Sequence, residues 1–268
     1  MNELIQMKEV AVLAAKKAGK YAFERIDAII EVNYKSGANN LVTDVDRKCE
    51  QMILNVIKSE FPSHSILAEE TGEHSPGGEV TWVVDPLDGT TNYAHGFPVF
   101  CVSIGIMVGD VVKIGVVYDA SRNELFTAIK GQGAFLNDQT IRVSNTELVK
   151  NALLATGFPY DQEGKILNID YFKIVLNQAQ AVRRAGSAAI DLCYVACGRF
   201  DGFWEFGLSP WDTAAGHLIV GEAGGKVSAV GQGEYDIFKK EITATNGRIH
   251  DELLSYFRDF NKSKKWSN

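Results

Sequence analysis

The sequence predicts a layered α/β (α+β) fold, on three observations. Near the N-terminus Leu4, Met7, Ala11, Ala14, Ala15, Ala18, Ala22, Ile26 and Ile29 recur every three or four residues, the apolar stripe of a long amphipathic helix. Between residues 65 and 129 the period changes to short apolar runs bounded by Gly, Asp and Asn, as expected of strands joined by turns. From residue 153 onward short apolar runs alternate with helical patterns. Helices and strands mixed throughout the chain imply sheets covered by helices.

Each element has its own signal. A polar, Gly-containing loop at 35–40 follows the first stripe. A second helix carries Val45, Cys49, Met52, Ile53, Val56 and Ile57 on one face, with Pro62 just past its end. Residues 65–68 and 80–84 read as strands. Residues 99–107, 111–118 and 125–129 read as a meander, turned by Gly109-Asp110 and by 119–123. Turn-rich sequence, with Gly131, Gly133 and Asn137-Asp138, continues to about 145. Then come a strand at 153–155, a helix at 166–180, a strand at 181–184 and a helix at 187–197. A strand at 201–205 precedes a helix at 211–223 that Gly224-Gly225 stops. Strands near Val227 and Ile242 and a helix from about Asp251 complete the order, with a short basic tail (Lys262, Lys264, Lys265). With 268 residues and no fixed-period repeat, the expectation is one domain over 1–268, its N-terminal half about 1–145 and its C-terminal half about 146–268.

A hydrophobic fraction of 46% and a charged fraction of 23% exclude a disordered or collagen-like chain. The 34 acidic and 27 basic residues leave a net charge of −7. That surface repels phosphate backbones and argues against nucleic-acid binding. It equally repels a small phosphorylated substrate, so a phosphate site here needs metal ions or a helix N-terminus. Cys49, Cys101, Cys193 and Cys197 form no C-x-x-C pair and no zinc spacing; they read as reduced, buried thiols of a cytoplasmic protein. Glu3 and Glu9 are foreign to a signal peptide. The most apolar stretch, 101–118, is interrupted by Asp110 and Lys113, which excludes a membrane span there.

The chemistry concentrates at 82–92, where the apolar run Trp82-Val83-Val84 meets Asp85-Pro86-Leu87-Asp88-Gly89-Thr90-Thr91-Asn92. Pro86 stiffens the turn and Gly89 lets the backbone come close to a ligand. Thr90, Thr91 and Asn92 are helix-capping types, and a helix starting there aims free N–H groups at the same spot. Read alone, D-x-x-D-G is a tight turn capped by Asp85. Asp46, three after Thr43, and Asp212, three after Ser209, read alone as the acidic partners of capping boxes. Further acids change the balance: strand 65–68 ends in Glu69-Glu70, at the strand end where open α/β sheets bind ligands. Two like charges 4 Å apart cost about 4 kcal/mol at an effective dielectric near 20. Convergence of Glu69, Asp85, Asp88 and Asp212 therefore requires protons or cations, and an all-oxygen donor set favours Mg²⁺ or Mn²⁺.

Together these stretches resemble the inositol monophosphatase family. The resemblance lies in LVTDVD (41–46), LAEET (67–71), WVVDPLDGTTNYAHGFP (82–98), RRAGSAA (183–189) and WDTAAGHLIVGEAGG (211–225), in matching order and separation. It implies an α-β-α-β-α sandwich, inositol monophosphatase/fructose bisphosphatase-like, and a Mg²⁺-dependent, lithium-sensitive phosphomonoesterase, commonly a homodimer. It implies two or three Mg²⁺ ions, with Mn²⁺ as a substitute, held by Glu69, Asp85, the Leu87 carbonyl, Asp88 and Asp212. Asn40 stands where relatives often have Asp, which leaves one charge fewer for a third ion.

On that resemblance Asp46, Thr90 and Glu69 are the catalytic residues. Thr90 and Asp46 hold a water in line and take its proton, while the N–H groups of Gly89, Thr90 and Thr91 cradle the phosphate. Asp88, Asp212, the Gly186-Ser187-Ala188 segment and Glu205 complete the substrate contacts. The expected partner is a small phosphorylated polyol, first myo-inositol 1-phosphate, with no nucleic acid and no membrane. The alternatives are a broad-specificity enzyme for the 2′-phosphate of NADP⁺, fructose 1,6-bisphosphate or 3′-phosphoadenosine nucleotides, and a non-catalytic Mg²⁺/phosphate-binding module. Aspartyl-phosphate chemistry fits less well, because its acids stand two apart and Asp85 and Asp88 stand three apart.

Overall fold

A computed structural model describes residues 2–27, 32–34, 41–75, 77–159, 162–231 and 233–265. Ile29, the loop expected at 35–40 and Asn40 lie outside these residues. The N-terminal stripe forms α1 (Asn2–Phe23). It stops short of the expected Ile26, which falls in a turn where Arg25 N–H donates to the Ala22 carbonyl at 3.0 Å. The hairpin β1 (Val32–Tyr34) and β2 (Leu41–Thr43) leads into α2 (Asp44–Glu60). Next come β3 (Ser65–Ala68), β4 (Gly72–His74), β5 (Val80–Asp88) and the short α3 (Thr90–Ala94). The meander is β6 (Cys101–Val108), β7 (Val111–Asp119) and β8 (Glu124–Ile129), followed by β9 (Ala134–Leu136) and β10 (Gln139–Thr140).

The second half runs β11 (Leu153–Thr156), α4 (Gln162–Gln178), β12 (Ala181–Arg183), α5 (Ala188–Ala196) and β13 (Gly202–Phe206). It closes with α6 (Pro210–Glu222), β14 (Lys226–Ser228), β15 (Glu241–Thr245) and α7 (His250–Lys265). Strands β1, β2, β4, β9 and β10 were not expected. Each has two or three residues, too short for an alternating pattern to show.

Eight strands form a mixed sheet in the order β10-β9-β8-β7-β6-β5-β3-β4, and five form a second, β12-β11-β13-β15-β14. Strand alternation sorts the side chains into layers. Trp82 and Val84 pack with Ala14, Ala18, Val45 and Ile53 of α1 and α2, whereas Val83 between them packs with Ile190 and Leu192 of α5 and Ala214 and Ala215 of α6. Phe203 of the small sheet faces this middle helical layer, and its neighbour Trp204 faces Tyr171 of α4 and Phe257 of α7. The result is the expected five-layer α-β-α-β-α sandwich, with three apolar cores between the layers. Among the described residues no helix is long and apolar enough to cross a membrane. The four cysteines are free thiols, three of them buried.

Candidate active site

The acids gather where β3 and β5 end. These strands run parallel, Ala68 beside Val84, and the Glu69 N–H extends the pairing to the Val84 carbonyl at 3.1 Å. Glu69 is thereby fixed next to Asp85. Glu50, buried on α2, holds the same turn: its Oε2 accepts the Glu70 N–H at 2.8 Å, and its Oε1 accepts the Thr71 hydroxyl at 2.6 Å.

Residues three apart on a regular strand point to opposite faces. Strand β5 avoids that by a bulge: Asp85 pairs with Ser103 and Asp88 with Cys101, three steps against two. Pro86 has no N–H to leave unpaired at the irregularity, and the Leu87 N–H donates to Asp85 Oδ1 at 3.0 Å. Leu87 turns into the α1/α2 core. Asp88 turns to α5, where its Oδ2 accepts the Ser187 hydroxyl at 2.7 Å and the Ala189 N–H at 2.8 Å. Gly89 follows at φ 96, and an added Cβ there would sit 2.7 Å from the Val99 carbonyl oxygen, so the turn into α3 requires glycine.

Asp46 and Asp212 are held by the capping geometry read from the sequence. The Thr43 N–H donates to Asp46 Oδ2 at 2.9 Å, and the Thr43 hydroxyl donates to the same oxygen. The Ser209 N–H donates to Asp212 Oδ2 at 2.6 Å. Asp46 does more than cap: its Oδ1 lies 2.8 Å from Thr90 Oγ1, across 44 residues of chain. That hydroxyl also lies 3.1 Å from the Leu87 carbonyl, so one proton serves two acceptors.

The electrostatics are those of crowded acids. Burial and then the charges of Glu69, Asp88 and Asp212 push the Asp85 carboxyl well above the usual range. Burial, Asp88 and Glu69 do the same to Asp212. Asp88 is pushed to about 6, burial outweighing the bonds from Ser187 and Ala189. No lysine, arginine or histidine is among the strongest influences on these three groups. A hard-oxygen set uncompensated by the chain fits Mg²⁺ or Mn²⁺. Among the described residues no three such side chains already form a closed cation cage. One oxygen each of Asp85, Asp88 and Asp212 is engaged by a backbone N–H.

Beside the acids a cavity of about 90 Å³ is bordered by Asp88, Gly89, Gly186, Ser187, Ala188, Glu205 and Asp212. The expected substrate segment thus meets the acids, but the Ser187 hydroxyl itself is committed to Asp88. The buried Thr91 hydroxyl has no partner among the described residues. Sequence reasoning read Asn92 only as a capping type; inside α3 it instead donates to the carbonyls of Val99 at 2.8 Å and Ala185 at 2.9 Å and ties the acidic turn to α5's approach. Sequence reasoning missed Glu50, Arg184 and Asp191. A separate cavity of about 700 Å³ lies along the second half of α6, near His217 and Tyr235, and contains none of these acids.

Residues 3–262 match the model of the inositol monophosphatase family. The chain is 48% identical over 255 residues to an inositol-1-monophosphatase of Synechocystis, covering 94% of this chain and 88% of that protein. It is 45% identical to the Nus factor SuhB of Escherichia coli, covering 94% of this chain and 96% of that protein. The structure of an inositol monophosphatase from Anabaena superposes with a TM-score of 0.87 at 42% identity, covering 96% and 97% of the two chains.

Proposed function

Because the chain belongs to the inositol monophosphatase family, and is thus a phosphomonoesterase, we propose that it hydrolyses myo-inositol 1-phosphate to inositol and inorganic phosphate. The observation that supports this most is the Thr90–Asp46 bond of 2.8 Å, set beside four acids from three distant chain segments.

Glu69, Asp85, the Leu87 carbonyl, Asp88 and Asp212 would hold two or three Mg²⁺ ions. When bound, these ions neutralise the acids and polarise both the ester phosphate and the attacking water. The protein's own residues do the positioning. Thr90 donates its hydroxyl proton to Asp46 and keeps lone pairs for an incoming water. As the water attacks it gives a proton to the Thr90 oxygen while the Thr90 hydroxyl proton moves to Asp46, whose carboxyl burial raises above the usual range, making it a stronger base. The first N–H groups of α3, at Gly89, Thr90 and Thr91, hold phosphate oxygens. Glu205 and the 186–188 backbone receive the hydroxyls of the leaving alcohol.

The test is kcat/KM with Mg²⁺ on myo-inositol 1-phosphate, NADP⁺, fructose 1,6-bisphosphate and 3′-phosphoadenosine nucleotides. The inositol ester should lead. Equal values for the inositol ester and NADP⁺ would replace this assignment with a broad-specificity one, and phosphate binding without release on the whole panel would leave a binding module. Similarity to proteins named Nus factor SuhB favours a second role of that kind alongside hydrolysis. An Asp46→Asn chain separates the two, since it removes hydrolysis and leaves the outer surface as it is.

A further inference from the structure

One carboxyl in the small cavity has no task in the mechanism above. Asp191 lies in the first turn of α5 and is 1% exposed. Its Oδ1 has no hydrogen-bond partner among the described residues. The side chain borders the same cavity as Glu205, Arg184 and Asp88. A buried polar atom without a partner costs stability, and its retention calls for an explanation; a ligand atom that supplies the missing bond is one.

The surroundings indicate which atom. Burial and the charge of Asp88 push the Asp191 carboxyl well above the usual range, and Arg184 pulls it back. Glu205 is raised by burial and then by Asp191, again opposed by Arg184. Asp191 and Glu205 line one cavity, and a pair of carboxyls that holds a proton offers both an O–H donor and oxygen acceptors. An alcohol hydroxyl is likewise donor and acceptor, so adjacent hydroxyls match such a pair. A phosphate does not, because its charge adds to that of the carboxylates. Phe158 and Pro159 also border the cavity, whose volume of about 90 Å³ suits a small alcohol.

We propose that Asp191 determines specificity: together with Glu205 it forms a two-carboxyl cradle for neighbouring hydroxyls of the leaving alcohol, and so selects phosphate esters of vicinal polyols. This inference rests on the phosphatase reading and adds a residue to it.

The experiment compares myo-inositol 1-phosphate with cyclohexyl phosphate, the same ring size without hydroxyls, using the Mg²⁺-loaded full chain. Asp191→Ala should raise KM for the inositol ester at least tenfold. The ratio of kcat/KM values, inositol ester over cyclohexyl ester, should also fall at least tenfold. Asp191→Asn keeps the shape, removes the acid and should lower that ratio in the same direction; it carries the test if the alanine chain fails to fold by thermal unfolding. Equal losses on both esters would make Asp191 a structural residue and overturn the proposal, as would an unchanged ratio. A wild-type chain that hydrolyses neither ester would instead defeat the phosphatase reading itself.

Discussion

Asp46 serves two partners with two oxygens. Oδ2 closes the N-terminus of α2 through Thr43, and Oδ1 accepts from Thr90. Asp46→Asn places an N–H₂ group where one of these donors now points, which costs about 1–3 kcal/mol of stability. Its larger effect falls on the proton transfer: kcat should drop by about 10²–10⁴-fold, while Mg²⁺ affinity by titration calorimetry stays close to wild type. Asp88 carries a second prediction. Its carboxyl sits at about 6, because burial outweighs the bonds from Ser187 and Ala189. Below that pH the group holds a proton that a cation must displace; above it the group is already ionised. Mg²⁺ affinity should therefore weaken as the pH falls through about 6, the raised Asp85 and Asp212 carboxyls acting in the same direction; an affinity independent of pH between 5 and 7 would remove Asp88 from the metal set. Most of these residues could be read from the chain, since Pro86, Gly89 and the run of capping residues mark 85–92 as an unusual turn. Asp191 could not, because nothing local distinguishes an unpaired acid from an acid on a helix surface. Glu50 was hidden likewise: it bonds to residues 20 and 21 positions away.

At the scale of elements, the position of α6 decides whether Asp212 reaches the other acids. That helix lies unusually close to the large sheet. An added Cβ on Gly105 of β6 would sit 2.6 Å from the Ala214 Cβ, and one on Gly115 of β7 would sit 2.6 Å from the Ala215 carbonyl oxygen. Gly105→Ala should cost about 1–3 kcal/mol through overpacking. It should also push the start of α6 outward and weaken Mg²⁺ binding, both measurable by thermal unfolding with and without the ion. The Glu69 turn depends comparably on α2. Glu50→Gln replaces one acceptor oxygen with an N–H₂ group and frees either the Glu70 N–H or the Thr71 hydroxyl. The concentration of Mg²⁺ needed for half-maximal rate should rise several-fold, with kcat at saturating Mg²⁺ changed much less. The helices and long strands were legible from period alone. The bulge between Asp85 and Asp88 was not: the period of β5 shows only that two acids three apart should diverge, and the partner strand reverses that.

For the whole molecule, the strand at Trp82-Val83-Val84 was legible as a short apolar run, which the structure buries on both faces. Which helices cover which face was not, because that depends on connections the pattern does not encode. The acids at the junction of these layers repel one another without a cation. Mg²⁺ at 100 times its dissociation constant should add about 2.7 kcal/mol of stability, a rise in Tm of roughly 5–10 °C for a chain of this size. A chelator should reverse it, and scanning calorimetry measures both.

Strand β5 belongs to two cores along one face each and ends in the acids. Slipping it by one residue against β6 would exchange Trp82 with Val83 and rotate Asp85 away from Glu69 in the same movement. Misalignment of this strand therefore cannot yield a sound but idle molecule: a copy that fails chemically by this route also drives its tryptophan into the close-packed core under α5 and α6, and so loses its stability together with its chemistry.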